Sequence, residues 1–221
     1  MITKYGLPQV AAFPCIIACV MAICAVVLHG SVWLIPVEAA LAVVLIWLFS
    51  FFRDPPRKII ADDSVLYSPC DGTVTSVTQE NGSITISVFL SIYNVHLNRS
   101  PCKATVMRST YKKGQFRNAN DPESSQINEA NDLELTMDTG TRERIVVRQI
   151  SGVVARHIVC RAKVGDKLGQ GEQFGMIKFG SRTELILPQG TDREVCAKPG
   201  DKVKAGLTVL VRYKNAEKFE S

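Results

Sequence analysis

The sequence predicts a mostly β domain carried behind an N-terminal transmembrane helical hairpin. Three observations lead there. Two apolar runs, 10–28 and 32–52, stand together at the start of the chain. Beyond residue 53 the sequence breaks into short β-branched runs separated by Asp-Gly, Asn-Gly and Gly-Asp steps. One such turn-and-strand unit then occurs twice. Strands with turn signals at short intervals are the signature of an all-β domain.

Residues 10–28 carry no charge, and 32–52 are interrupted by Pro36 and Glu38 alone. Each run is close to the roughly 20 apolar residues that a membrane-spanning helix needs. His29-Gly30-Ser31 is a short joint, which makes a hairpin. A cleaved signal peptide fits less well: one Lys precedes the first run and a second run follows at once. Lys4 lies before the pair, Arg53, Arg57 and Lys58 lie after it, and no Lys or Arg lies between. The positive-inside bias therefore places both ends in the cytoplasm, with residues 1–52 anchored in the inner or cell membrane and 53–221 on its cytoplasmic side.

Removing residues 1–52 takes away one base, Lys4, and one acid, Glu38, so the formal charge of +5 belongs to the polar domain. A basic excess suits an anionic leaflet. It does not suit nucleic acid, because there is no basic helix and no Lys/Arg stripe with interleaved aromatics. The seven cysteines contain no C-x-x-C spacing, so neither a metal site nor a disulfide framework is expected.

Within the polar domain, Arg53-Asp54-Pro55-Pro56-Arg57 ends the second helix. Strands are expected at 73–78, 83–90, 103–108, 144–150, 152–160, 174–179 and 183–187, and the polar stretch 112–132 is expected to be one long loop. Ala162-Lys163-Val164-Gly165-Asp166-Lys167 returns as Ala197-Lys198-Pro199-Gly200-Asp201-Lys202, with Gly171 matching Gly206 at the same offset. Each copy supplies a Gly-Asp turn and then a strand. With Ser68-Pro69-Cys70-Asp71-Gly72-Thr73-Val74, this resembles the barrel-sandwich of biotinyl and lipoyl domains.

Few residues are equipped for chemistry. His29 lies at the hairpin tip, and His157 falls in an apolar run where a packed strand histidine explains it. His96 sits in Tyr93-Asn94-Val95-His96-Leu97-Asn98-Arg99-Ser100-Pro101, where a strand end runs into a loop. Asp71 precedes Gly72, and Asp-Gly is first of all a turn dipeptide. Ser181 follows Gly180 in Met176-Ile177-Lys178-Phe179-Gly180-Ser181-Arg182 and is, alone, a strand-end serine. The functional reading rests on the three together.

In combination, residues 1–213 resemble a phosphatidylserine decarboxylase of the short, archaeal-type branch, some members of which act on archaetidylserine. The hairpin, Ser68-Pro69-Cys70-Asp71-Gly72, Val95-His96-Leu97 and Ile177-Lys178-Phe179-Gly180-Ser181-Arg182 carry the resemblance in order. It implies a proenzyme that cuts its own Gly180–Ser181 bond. Ser181 would attack, His96 would take its proton, and Asp71 would orient and charge-balance His96. Residue 181 would become a pyruvoyl group, a covalent cofactor without metal, on a small chain 181–221. That chain would pair with the large chain 1–180 as a heterodimer, open to further oligomerisation. The ketone would condense with the amine of phosphatidylserine as a Schiff base and draw off the electrons left by CO2.

Two positions depart from the better-known bacterial pattern: Tyr93 stands where a second histidine is usual, and Arg182 where Thr is common. Arg182, Lys178 and Arg99 are expected to touch substrate, and 112–132, with Asn128-Glu129, to gate the headgroup. The alternative is a membrane-anchored carrier or adaptor without catalysis, the carrier presenting Lys178, Lys167 or Lys202 for modification.

Overall fold

A computed structural model describes residues 1–119, 121, 123–139, 142–153, 157–178 and 181–214. The chain divides into two compact units, Met1–Pro56 and Arg57–Ser221.

The first unit is built on α1 (Leu7–Val27) and α2 (Leu34–Phe51), both long and apolar enough to cross a membrane. At about 1.5 Å of rise per residue each spans roughly the 30 Å of a bilayer core. Residues 28–33 reverse the chain, with Gly30 at φ +77°, a conformation glycine adopts without strain. The open end is tied by backbone bonds from Thr3 N–H to Phe52 C=O (2.9 Å) and from Asp54 N–H to Met1 C=O (2.6 Å).

The second unit is mostly β. In chain order it holds β1 (Val65–Tyr67), β2 (Gly72–Glu80), β3 (Ser83–Leu90), β4 (Leu97–Arg99) and β5 (Ala104–Lys112). A one-turn helix α3 (Ser124–Ile127) precedes β6 (Ala130–Met137), β7 (Arg144–Ile150), β8 (His157–Cys160) and β9 (Lys167–Leu168). β10 (Gln173–Lys178), β11 (Ser181–Pro188), β12 (Arg193–Val195), β13 (Lys202–Val203) and β14 (Val209–Tyr213) complete it. An eight-stranded curled sheet, ordered β13-β2-β3-β11-β7-β6-β5-β9, is accompanied by two three-stranded sheets, β1-β14-β12 and β4-β10-β8. The core lies on the inner face of the large sheet. Ile86 and Val88 of β3, Leu133 and Leu135 of β6, Ile145 and Val147 of β7 and Leu185 of β11 are buried there with Phe174 and Leu210. Each such aliphatic side chain contributes about 1.5–3 kcal/mol on leaving water.

Two expectations are corrected. The stretch 112–132 is not one loop: β5 runs to Lys112, α3 interrupts the connection, and β6 begins at Ala130. In β6 the alternation of Leu133, Leu135 and Met137 inward supplies the burial that outweighs its polar company. The strand expected over 152–160 is shorter; described strand begins at His157, and 154–156 lie outside the described residues.

The repeated turns are structurally equivalent. The Lys163 and Lys198 amides each donate to the carboxylate of the following aspartate, Asp166 and Asp201, at 2.8 Å. Gly165 and Gly200 have φ +89° and +96°, and donate to Val106 and Val74 C=O, both at 2.8 Å. The equivalence extends to a second repeat, Ser68-Pro69-Cys70 and Ser100-Pro101-Cys102, where each serine hydroxyl caps its cysteine carbonyl at 2.7 and 2.6 Å. The two copies exchange backbone bonds, Tyr67 N–H to Pro101 C=O and Arg99 N–H to Pro69 C=O, both 2.9 Å. The large sheet is accordingly palindromic: β13-β2-β3-β11 is answered by β9-β5-β6-β7.

Candidate active site

The connections β3 to β4 and β10 to β11 both cross from one sheet to another at a single corner. β11 pairs with β3, Ser181 opposite Leu90, and β4 pairs with β10, Leu97 opposite Met176. The Ile177 amide donates to the carbonyl of His96 at 3.2 Å. One residue beyond β4's start, Asn98 donates through Nδ2 to Thr183 Oγ1 at 3.1 Å. Side chains two apart on a strand share a face, so Ser181 lies on Thr183's side of β11, and His96 immediately precedes β4. The corner therefore gathers the histidine and the serine, which are 85 positions apart in sequence. Gly180, with Phe179, lies outside the described residues.

Ser181 is fully buried, and its Oγ has no hydrogen-bond partner among the described residues. Leaving a buried hydroxyl unpaired costs about 1–3 kcal/mol, so such a group calls for an explanation. His96 is also fully buried, with Nδ1 2.9 Å from the Asn94 carbonyl oxygen. A carbonyl only accepts, so Nδ1 carries the hydrogen. In the neutral ring Nε2 is then the basic nitrogen.

Asp71 is held by a cation and a backbone amide. Its Oδ1 and Oδ2 each accept from an Arg57 nitrogen at 2.7 Å, a bidentate pair, and Oδ1 also accepts the Ala205 amide at 2.8 Å. Arg57 is closed in further by the Ala205 carbonyl at 2.6 Å. A carboxylate offers about four acceptor positions, and three are used, which leaves one on Oδ2. The neighbouring Cys70 thiol is bonded to Thr183, and burial pushes it far above the usual thiol range. It is no nucleophile at neutral pH.

The three expected substrate contacts are dispersed. Arg99 donates to Gly171 C=O at 2.9 Å, within the scaffold of the repeated turns. Lys178 is buried on β10 opposite His157, and loss of hydration lowers its pKa below the usual lysine value. Arg182 is buried on the face of β11 opposite to Ser181's, its Nη1 3.3 Å from Ser125 Oγ of α3. On that same face Glu184 accepts from Ser125 Oγ (2.6 Å) and Ser87 Oγ (3.3 Å).

Sequence reasoning missed a buried polar chain that braces the corner. Asn131 donates to Gln149 Oε1 (3.1 Å), Gln149 to Asn98 Oδ1 (2.9 Å), and Asn98 to Thr183. No local pattern signals it, because each link joins a different pair of strands. In the sequence Arg57 stands out only as a topology charge; its pairing with Asp71, 14 residues on, needs the fold to be seen. Among the described residues no group of three or more His, Cys, Asp or Glu side chains is placed to hold a metal ion.

A fully buried serine at the first position of a strand, its hydroxyl without a partner among the described residues, stands at the same corner as a buried histidine. Comparison with known proteins gives the family. The phosphatidylserine decarboxylase profile matches residues 44–211. The phosphatidylserine decarboxylase proenzyme of Trichlorobacter lovleyi is 42% identical over 193 residues, covering 85% of this chain and 86% of that protein. Proenzymes of the same name from Symbiobacterium thermophilum and Pelodictyon phaeoclathratiforme are 38% and 36% identical, each covering 96% of this chain and 95% and 100% of their own lengths. The chain belongs to the phosphatidylserine decarboxylase family.

Proposed function

We propose that this chain is a proenzyme that cuts itself between Gly180 and Ser181 and then decarboxylates phosphatidylserine to phosphatidylethanolamine. The observation that carries the reading is the Ser181 hydroxyl, buried at the His96 corner with no described partner. A hydroxyl kept from other hydrogen bonds is one that a base can deprotonate without first breaking a contact.

His96 accepts the Ser181 proton at Nε2, the nitrogen left basic by the Nδ1–H bond to Asn94. Ser181 Oγ adds to the Gly180 carbonyl, and the peptide C–N bond breaks as the proton passes to nitrogen, leaving an ester. Loss of the Ser181 α-proton then breaks the Cβ–O bond and releases residues 1–180 with a C-terminal carboxylate. Water converts the dehydroalanine at residue 181 to a ketone and ammonia. Asp71, fixed by Arg57 and Ala205, supplies the negative charge that steadies His96 when it is protonated.

The residues present fit a carbonyl group at position 181: the position is buried, starts a strand, and makes no side-chain bond among the described residues that conversion would break. That carbonyl supplies an electron sink for the pair left on the substrate's α-carbon when CO2 departs. His96 holds the proton to be returned to that carbon.

In this reading, 1–52 anchors the protein in the cell membrane and 53–221 works on its cytoplasmic side as a heterodimer of 1–180 and 181–221. The twinned turns and the palindromic sheet support the likeness to biotinyl and lipoyl barrel-sandwiches. The carrier reading finds less support: Lys178 is buried within a strand, and Lys167 and Lys202 occupy equivalent positions, so neither is singled out. The test is a denaturing gel with mass spectrometry. Wild-type protein is expected as fragments 1–180 and 181–221, and Ser181→Ala as one intact, inactive chain. An intact wild-type chain that turns over phosphatidylserine rejects the proposal.

A further inference from the structure

On the face of β11 turned away from the core, a cavity of about 430 Å³ opens between β5, β6, β7 and α3. Lys112, Ser125, Asp132 and Arg148 contribute to its walls. Arg148 is bidentate to Asp132 at 2.6 and 2.8 Å and lies 3.9 Å from Glu184. Lys112 is exposed; its ammonium makes a bond of 2.9 Å to the Gln126 carbonyl, which leaves two further donors.

Immediately behind Ser125 lies Arg182. It is 4% exposed, and its Nε has no partner among the described residues. Its nearest acid, Glu184, is 3.8 Å away and is itself held by Ser125 and Ser87. Burial lowers its pKa, opposed by the charges of Glu184 and Asp121. A buried guanidinium with an unused N–H and a hydroxyl standing in front of it is a donor set short of an oxyanion. Lys112, Arg148 and Arg182 face Asp121, Asp132 and Glu184 here, three cations to three acids.

Arg182, which bonds Ser125 of the cavity wall, is the chain neighbour of residue 181. On one side Ser181 pairs with Leu90, but on the other the pairing with β7 begins only at Arg182 opposite Ile150, the last residue of β7. Ser181 therefore lies at the end of the sheet, one residue before Arg182.

We propose that this cavity binds the phosphate of the substrate headgroup, with Arg182 and Lys112 as its donors and Ser125 as the hydroxyl that the phosphate displaces. The inference rests on the self-cleaving decarboxylase reading above, and it names the substrate contacts of that site. A phosphodiester carries a single negative charge and oxygens that suit both a guanidinium N–H and a free ammonium. α3 then has a role as well, because its Ser125 holds Arg182 until the phosphate takes that place.

The test separates the two readings by using Ser181→Ala, the intact chain, as the binding partner. Glycerophosphoserine and inorganic phosphate are titrated against it by calorimetry, alone and combined with Lys112→Gln or Arg182→Gln. Each added substitution is expected to weaken glycerophosphoserine at least tenfold, about 1.4 kcal/mol. In the cleavable background, self-cleavage of Lys112→Gln on the gel is expected to proceed at the wild-type rate. Its KM for phosphatidylserine in detergent micelles rises about tenfold, with kcat little changed. Tighter binding of glycerophosphoserine than of phosphate identifies the lipid headgroup as the source; equal binding identifies a site for any phosphate and overturns the assignment to the headgroup. Unchanged KM and unchanged titrations in Lys112→Gln, a change at an exposed side chain, overturn the proposal altogether. Failure of wild-type self-cleavage instead rejects the parent reading.

Discussion

The β unit has two equivalent corners, and they are finished in opposite ways. At one, the Ile177 amide meets the carbonyl of His96; at the other, the Tyr213 amide meets the carbonyl of Ser64 at 2.8 Å. The first corner holds Ser181, whose hydroxyl has no described partner. The second is closed by a charged network in which Arg193 Nη1 and the Tyr213 hydroxyl both bond Glu143 Oε1, at 2.5 and 3.1 Å. The Arg193 guanidinium also lies 5.0 Å from the Tyr213 ring centre, and burial followed by the charge of Glu143 pushes the Tyr213 hydroxyl well above its usual pKa. The same contrast appears at the Ser-Pro-Cys copies. Asp71 follows the first and is buried against Arg57, whereas Lys103 follows the second and is exposed. One backbone plan thus serves twice, once with its polar groups satisfied and once with a serine hydroxyl that has no partner among the described residues.

The sharpest way to break this comparison is to exchange roles at the Ser-Pro-Cys copies. Asp71→Asn is expected to slow self-cleavage of the folded protein by about 100-fold or more, by analogy with removal of a triad carboxylate. Lys103→Ala is expected to cleave normally. Equal rates in time-course gels would mean that Asp71 has no more part in cleavage than Lys103.

Next in size is the closed corner. Glu143→Gln leaves the buried Arg193 with Asp192 as its remaining ion-pair partner, a loss that at its largest costs about 3–5 kcal/mol. At about 2–4 °C per kcal/mol for a domain of this size, the melting temperature falls by roughly 6–20 °C. The folded fraction should still cleave at the normal rate. A large loss of cleavage rate in folded Glu143→Gln would show that the two corners are not independent.

Much of the scaffold was legible in the sequence, and the reason is local. The hairpin follows from two apolar runs, and the turns follow from Gly165-Asp166 and Gly200-Asp201, whose geometry is set within four residues. β6 was not legible because Asn131, Asp132, Glu134 and Thr136 disguise an inward row of Leu133, Leu135 and Met137. Of the site, motifs mark Ser181, His96 and Asp71, and the fold gathers Ser181 and His96 at one corner. Arg57 against Asp71, Asn94 on His96 Nδ1 and the Asn98–Thr183 tie depend on three-dimensional neighbours that no spacing encodes.

A finer test concerns the twinned turns. A Cβ on Gly165 or Gly200 meets nothing within 4 Å, so their positive φ is the sole obstacle to a side chain. Gly165→Ala and Gly200→Ala should each cost about 1 kcal/mol, and the same within a few tenths, in denaturant titrations. Unequal costs would show that the halves are alike in geometry but not in strain. The smallest effect is chemical: in the native protein at about pH 8, iodoacetamide should label exposed Cys196 and spare Cys70 and Cys102, whose thiols burial holds far above the usual range. Labelling of Cys70 without unfolding would mean that the Ser181 corner is open to solvent.

The most direct measurement is the mass and N-terminal chemistry of the C-terminal fragment from freshly purified protein. A fragment beginning at residue 181, with a ketone in place of the serine amine and resistant to Edman degradation, is the predicted result. Active protein whose Gly180–Ser181 bond is whole, or a fragment with an ordinary serine at its start, would contradict it.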